Sequence, residues 1–480
     1  MRIALVNPVE SRLIGYQSIG SYIPQLGLQV LAQQTPKEHS VDIIDEIFGQ
    51  DRTDELLQPS RYDLVGITAY TTQAARAYDL ASLCRGRRLP CIMGGPHAWA
   101  LPNEALRYFD SVAVGEADGI WPQIVADAAA GKLQQYYQGS WADLSRGFGT
   151  ADQSLQPING AYDVGCIQTS RGCPVGCKYC SVTAFNGAKI RRRPIPQIIA
   201  EWNRTPNKFL FVVDDNFFGV TAEHAAWAKE MLRRLIKQGR KRLWFSQTTI
   251  NMGADLEAVK LAYQAGCRGM LVGLESFNPD NLKECHKAIN RKYFHQYHEL
   301  VNGFHRGGLA VFGAFIVGAD EDTQDTVADT VLKAIHLGID IIQITNLTPL
   351  PGTKLYDRYL SEGRIFTSNY PDDWKRFTFV ETVYHPKKMT ARQLDETIYE
   401  LRQAAATQNW VWKRTLKSLW RTRSLSTAFF VHGINTQFAH LAKAITFRDA
   451  ERFGFRLAQN ERTQKIRRAM ALRCKAQSKN

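Results

Sequence analysis

Cysteine is scarce in this 480-residue chain, which holds nine, an odd number. Six of them (Cys84, Cys91, Cys166, Cys267, Cys285 and Cys474) fall without any pairing pattern. That excludes a disulfide-stapled scaffold and points to a reducing compartment, so any sulfur chemistry must lie with the other three. Long apolar runs are missing too, and no stretch approaches the roughly 20 residues that a membrane-spanning helix requires. The opening "MRIALVNP" reads as a strand rather than a signal peptide, so a cytoplasmic location is expected. Most of the chain also lacks excess charge. The net charge is +14, but residues 411–480 hold 16 Lys/Arg against 3 Asp/Glu, which leaves the first 410 close to neutral. The folded-looking regions are therefore not nucleic-acid surfaces, and no nucleic-acid partner is expected.

What is present describes an ordinary globular chain, 44% hydrophobic and 22% charged, long enough for two or three domains. The first region alternates apolar runs ("RIALVNP", "VDIIDE", "DLVGITAY", "PCIMGGPHA", "DSVAVGEAD") with helical segments such as "LGLQVLAQQ" and "QAARAYDLASLCRG". Strand–helix alternation of this kind predicts a doubly wound, Rossmann-like parallel sheet over residues 1–145, with ligands outside the carboxyl ends of its strands. A second alternation ("FLFVVDDN", "RLWFSQTTIN", "GMLVGLESF", "LAVFGAFIVGADE", "DIIQITNLTPLPGT") predicts a full or partial TIM-like (β/α) barrel over 155–352. Residues 353–480 read as helical, with a basic tail. The fold class is α/β.

Between the two alternations lies "TSRGCPVGCKYCSVTAFNG", which places Cys173, Cys177 and Cys180 in one glycine-punctuated loop. Three thiolates spaced C-x3-C-x2-C can ligate three irons of a [4Fe–4S] cube and leave the fourth open for chemistry, whereas an electron-carrying cluster is closed by a fourth cysteine. Gly172, Pro174 and Gly176 suit a tight loop around such a group. A zinc knuckle is the alternative. It needs a fourth ligand, for which Cys166 is the near candidate.

With Tyr179 before its last cysteine, and opening a βα barrel, the loop resembles the radical S-adenosylmethionine (SAM) superfamily over residues 160–352. The resemblance implies that Cys173, Cys177 and Cys180 bind the cluster and the open iron chelates SAM. An electron from a donor such as flavodoxin or ferredoxin then cleaves SAM to a radical that takes a hydrogen atom from a small-molecule substrate. "FVVDDN" stands where the family keeps a polar motif for the SAM amino group, which implicates Asp214, Asp215 and Asn216, with capping as the alternative role. "GLES" and "GAFIVGADED" look like the ribose- and adenine-binding strands, implicating Glu275, Gly313 and Ile316; Glu275 reads equally as a satisfied structural charge. "KIRRRP" (Lys189 to Pro194) faces the SAM carboxylate or is a solvated basic loop.

The N-terminal region, joined to such a barrel, resembles the cobalamin-binding module of cobalamin-dependent radical SAM enzymes. Its strand-end loops implicate Thr68, Tyr70, Thr71, Gly94, Gly95, His97, Gly115 and Glu116 in cobalamin binding. The D-x-H-x-x-G motif that gives other cobalamin enzymes an axial histidine is absent. A lone loop histidine is more often a hydrogen-bonding residue, so His97 is expected near the corrin or its nucleotide tail without ligating cobalt. The loop Tyr70 to Gln73 is expected at the lower corrin face.

The implied activity is cobalamin-dependent methylation of an unactivated carbon, on a substrate that includes lipids and tetrapyrroles among its candidates. One alternative is cyclisation or rearrangement with the same cofactors. Another is a tRNA methylthiotransferase, which would need three N-terminal cysteines where only Cys84 and Cys91 precede residue 160. In "WVWKRTLKSLWRTRS", Trp410, Trp412, Leu416 and Trp420 interleave with Lys413, Arg414, Lys417 and Arg421. The pattern fits an interfacial helix making peripheral membrane contact, or a helix packing its aromatics on the barrel.

Overall fold

The computed structural model describes residues 1–9, 23–48, 56, 58–147, 149–151, 155 and 162–452, with backbone alone from 443 onward. Cys474 and the basic tail beyond residue 452 lie outside the described residues. Two units divide the chain: one of Met1–Gln17, Ser21–Ser246 and Thr348–Thr378, the other of Ser18–Gly20, Gln247–Leu347 and Phe379–Asn480.

In the first unit, β1 (Arg2–Asn7), β2 (Ser40–Asp45), β3 (Leu64–Thr68), β4 (Cys91–Gly94), β5 (Ser111–Val114) and β6 (Tyr136–Gln138) form one sheet. All pairings are parallel, in the order β2-β1-β3-β4-β5-β6. Strands buried on both faces must be apolar throughout, which is why the first five were legible as runs of Val, Ile and Leu. Against the sheet, Trp121 and Ile124 of the helix Trp121–Ala129 join Ile3, Leu5 and Ile92 in one core. Strand order reverses between β1 and β3, so their following connections diverge and open a crevice at the carboxyl edge. Gln73 spans this point: its amide donates to Asn7 Oδ1 (3.1 Å) and to the Pro8 carbonyl (2.7 Å).

The same unit carries β7 (Gly165–Ile167), β8 (Ser170–Arg171), β9 (Arg191–Arg192), β10 (Phe209–Val212) and β11 (Leu243–Thr248). β10 pairs in parallel with β7 and β11, while β8 and β9 form a two-residue antiparallel bridge. In the second unit, β12 (Cys267–Glu275), β13 (Ala310–Val317) and β14 (Ile341–Asn346) are parallel neighbours, and β12 bulges between Gly273 and Glu275.

The C-terminal segment, which reads as one helix in the sequence, is two: Ala391–Ala405 and Gln408–Thr422. The first opens on a capping box of Thr390 and Gln393. Thr407 is extended, and the break turns Val411 onto Ala406, Ala439 and Ala442, so that the second helix pairs with Leu425–Arg452. Val431 of that last helix packs on Ala310, Phe312 and Ile341 of the sheet.

Candidate functional site

The cysteine loop starts at β8 and returns at β9, and its shape is imposed from outside by two neighbouring carboxylates at the end of β10. Asp214 is fully buried. It accepts from Thr169 N (2.6 Å), Ser170 N (3.0 Å), Ser170 Oγ (3.0 Å) and the Thr169 hydroxyl, and so fixes the chain entering the loop. Burial pushes its carboxyl up to about 6, and the four hydrogen bonds pull it back only in part. Asp215 holds both ends of the loop. Gly172 N donates to it at 2.7 Å and Asn186 Nδ2 at 3.0 Å. Asn216 Oδ1 accepts from Gly219 N (3.1 Å), a turn-capping contact. The three residues expected to meet the SAM amino group thus place carboxylate and amide oxygens on backbone donors.

Within the loop, Cys173 N donates to the Gly187 carbonyl at 3.1 Å, and Cys180 N to the Cys177 carbonyl at 3.2 Å. Gly172 takes φ +95, and a Cβ there would sit 2.3 Å from the Lys189 carbonyl; Gly176 takes φ +71 over open space. These residues fit a cluster: three thiols ride a loop whose backbone bends where only glycine bends freely, with room beside it. Cys177 is buried, and Cys173, Tyr179 and Cys180 are half-buried. Among the described residues no three of His, Cys, Asp or Glu converge on a point suiting a single metal ion. A cube makes no such demand, because each thiolate meets its own iron. Cys166, the zinc alternative's fourth ligand, is fully enclosed in β7, and burial raises its thiol well above the ordinary range. Burial likewise pushes Cys84 and Cys267 up to about 12, so these sulfurs stay protonated and inert.

The loop is bolted to β5 of the N-terminal sheet by charge. Arg171 Nη1 lies 3.0 Å from Glu116 and 2.7 Å from Asp118, and Arg191 pairs with the same Glu116 and donates to the Asn186 carbonyl at 2.9 Å. The Ala142 N–H completes the Glu116 shell at 2.9 Å. "KIRRRP" is therefore not a solvated loop. Arg191 joins this clamp, Arg192 reaches Glu223 and stacks over Trp227, and Arg193 forms a fully buried pair with Glu201 at 2.5 Å. Arg171 and Asp118 were missed from sequence, and Arg191 was read only as part of "KIRRRP". The signal was there in an acidic pair directly after a strand ("VGEAD") and arginines flanking the cysteine loop.

On the N-terminal sheet, Thr68, Gly94, Gly95 and Gly115 line the carboxyl edge half-buried. Gly95 takes φ +91 and Gly115 φ +97. A Cβ would meet Thr68 Oγ1 at 2.6 Å in the first case and the Gly139 carbonyl at 2.8 Å in the second. Glycine at these two positions therefore lets adjacent strand-end loops approach more closely than a side chain would allow. Tyr70 is 50% exposed at the crevice, and its N–H donates to the pinned Gln73 side chain at 2.9 Å. His97 and Thr71 face inward. His97 is fully buried, 3.1 Å from Tyr78 Oη, 3.4 Å from Glu104 and 3.5 Å from Thr71 Oγ1, with the Trp374 ring edge-on.

The remaining SAM-side positions lie in the second unit. Glu275 ends β12 at φ +64, and Lys287 Nζ holds one of its oxygens at 2.7 Å. A side chain at Gly273 would stand 2.3 Å from that carboxylate, so glycine makes room for it. A non-glycine residue in the left-handed region marks a position that its surroundings over-determine. Gly313 and Ile316 fall on opposite faces of β13. Gly313 is buried against Ile339, Phe315 and Leu274, whereas Ile316 is half-buried.

Comparison with known proteins agrees with this geometry. Residues 13–125 match the B12 binding domain and residues 167–334 the radical SAM superfamily. Bacteriochlorophyllide d C-12(1)-methyltransferase of Chlorobaculum tepidum is 27% identical over 416 residues, covering 82% of this chain and 87% of that protein. The hopanoid C-2 methylase of Rhodopseudomonas palustris is 28% identical over 364 residues, covering 72% and 66%. Among solved structures, the radical SAM methyltransferase TsrM of Kitasatospora setae superposes with a TM-score of 0.60 at 17% identity, over 75% of this chain and 76% of that one. The protein is thus an enzyme of the radical SAM superfamily, in the group with an N-terminal B12-binding domain, and its cofactors are a [4Fe–4S] cluster, SAM and cobalamin.

Proposed function

We propose that this enzyme methylates an unactivated carbon of an apolar small molecule, a lipid or a tetrapyrrole. The observation that carries the reading is that two methylating enzymes, named for a bacteriochlorophyllide and a hopanoid, align across both the B12-binding and the radical SAM region. When bound, the cofactors supply hydrogen-atom abstraction and a transferable methyl group.

The chain's own contribution is placement. Cys173, Cys177 and Cys180 would hold three irons on a loop whose ends Asp214 and Asp215 fix. Gly94, Gly95 and Gly115 would admit the corrin, and Tyr70 would stand at its lower face. His97, whose ring nitrogens lie near Thr71 and Tyr78, would support the Thr71 loop without ligating cobalt. The Glu116 clamp would set the separation between corrin and cluster. We place residues 1–145, 155–352 and 353–480 as the three functional regions, and a flavodoxin or ferredoxin as the electron donor.

An apolar substrate suits a protein that works in the cytoplasm against a membrane surface. No helix among the described residues is long and apolar enough to cross a bilayer. The helix Gln408–Thr422 instead exposes Trp412, Leu416 and Trp420 in one stripe, the last 80% exposed, and Leu425 and Phe429 follow. Trp410 turns inward onto the core around Leu394 and Ile398, so one tryptophan packs and two face outward. The test is anaerobic incubation of reconstituted enzyme with methyl-labelled SAM and either a bacteriochlorophyllide or a hopanoid. The product should carry the labelled methyl group; a product oxidised or cyclised without the label would establish the alternative chemistry.

A further inference from the structure

At the carboxyl end of β12 the backbone makes a turn that its neighbours have to enforce. The Ser276 N–H reaches back to the Leu274 carbonyl at 2.8 Å, closing three residues around Glu275, and Glu275 takes φ +64. A three-residue turn at positive φ is the rare and strained hand. Two helices hold it in place. From Ala288–Tyr293, the fully buried Asn290 donates through Nδ2 to the carbonyls of Gly273 (2.9 Å) and Leu274 (3.0 Å). From Tyr297–Arg306, the Tyr297 hydroxyl accepts from the same nitrogen at 2.9 Å. Among the described residues no donor reaches Asn290 Oδ1, although that atom is shut off from solvent. Such orphans are rare in a native interior, and this one accompanies an enforced geometry.

What the geometry sets is one carboxylate. Lys287 Nζ holds Glu275 Oε1 at 2.7 Å, and the two side chains are only 10% and 9% exposed. A Cβ at Gly273 would stand 3.1 Å from that ammonium nitrogen as well as 2.3 Å from Oε1, so the pair lies close along the strand. No donor among the described residues reaches the other oxygen, Oε2. An ionised carboxylate accepts about four hydrogen bonds, and Glu275 is far from filled.

The carboxyl ends of parallel strands are where βα barrels meet their ligands, and SAM is a cofactor of this enzyme. SAM carries three kinds of donor: its ammonium group, its ribose hydroxyls and its adenine amine. Lys287 selects among them. Glu275 paired with a lysine is neutral as a unit, so a second cation gains little attraction, whereas a neutral hydroxyl still receives a charge-assisted bond. We propose that Lys287 is a positioning residue for SAM. Acting through Glu275, it keeps that carboxylate ionised and turned so that Oε2 accepts from the ribose hydroxyls. The role is the same whichever carbon is methylated.

The test uses the full chain loaded with cluster and cobalamin, without reductant, so that binding alone is read. Calorimetry compares S-adenosylhomocysteine, which cannot react, with its 2′-deoxy and 3′-deoxy analogues and with one lacking the adenine amine. Loss of a ribose hydroxyl should weaken binding to the wild type by about tenfold or more. Lys287→Met should bind S-adenosylhomocysteine about tenfold more weakly and lose that preference, and Lys287→Arg should keep both. The double variant Lys287→Met, Glu275→Gln leaves no lone buried charge, so it should fold, and it should show no less preference than Glu275→Gln alone. A wild type indifferent to the ribose hydroxyls overturns the role, and so does a preference that survives in Lys287→Met. A loss in Lys287→Met that is equal for every analogue would make the lysine merely structural. A double variant with the wild-type preference overturns the assignment even where Lys287→Met alone does not fold.

Discussion

Asp214 fixes the chain that enters the cysteine loop through its hydrogen bonds to Thr169 and Ser170. With four donors converging on it, Asp214→Asn leaves at least one N–H or O–H facing an amide NH2, and a loss of about 2–4 kcal/mol is expected by chemical denaturation. Its pH signature is specific. The folded carboxyl titrates at about 6 against 3.8 unfolded, so the folded state holds its proton longer. The stability that Asp214 contributes is greatest below pH 4 and is lost as pH rises through 6. Wild-type stability minus that of Asp214→Asn should therefore fall across this window and be flat above it; a difference that rises would contradict the buried, raised carboxyl. His97→Ala is expected to cost about 2–4 kcal/mol for the cavity and its lost hydrogen bonds. The cobalt hyperfine pattern in electron paramagnetic resonance should stay unchanged. Loss of a nitrogen coupling in that variant would make His97 a ligand after all. At this scale the sequence identified positions better than roles. Residue type and strand-end location mark Asp214 and Glu116, but the direction of a side chain depends on partners 45, 55 or 75 residues away.

At the scale of elements, ion pairs join the segment after β5 to the strands that frame the cysteine loop, beside the Trp99–Phe185 ring contact. A buried carboxylate shared by two arginines is costly to break, because its removal leaves Arg191 without a carboxylate, although Arg171 keeps Asp118. Glu116→Gln should lower stability by about 3–5 kcal/mol, while cobalamin affinity, measured by equilibrium dialysis, changes little. A selective loss of cobalamin with unchanged stability would return Glu116 to direct cofactor binding. The exposed stripe makes a separate claim. Trp412→Ser with Trp420→Ser should reduce co-sedimentation with anionic liposomes severalfold, and added salt should reduce it further as the basic residues are screened. Equal sedimentation with neutral and anionic vesicles would remove the membrane from the account. Long parallel strands such as β1, β3 and β13 were legible because burial on both faces demands unbroken apolar runs. β7, β8 and β9 were not, since two or three residues carry no period. Yet β8 and β9 frame the cysteine loop. Likewise nothing in "AAATQN" announces the helix break at Thr407, which packing of Val411 against Ala439 and Ala442 imposes.

For the whole molecule, two kinds of domain in one chain carry the functional reading, and the cofactor set follows from them more firmly than the substrate does. Three cysteines, read with Tyr179 and the βα alternation after them, identified one domain. The other needed its neighbour, because glycine-rich strand ends serve many doubly wound sheets. The reading stands on a cluster that cleaves SAM and a cobalamin that carries a methyl group, and the products of SAM report on both. Enzyme reconstituted anaerobically with iron, sulfide and cobalamin is given SAM and a one-electron reductant, and the SAM-derived products are quantified by mass spectrometry. The account predicts both 5′-deoxyadenosine, from radical cleavage, and S-adenosylhomocysteine, from methyl transfer. The first should vanish when Cys173, Cys177 and Cys180 are replaced by Ala, and the second when cobalamin is withheld. Formation of 5′-deoxyadenosine alone with cobalamin present, or of either product regardless of its cofactor, would contradict it.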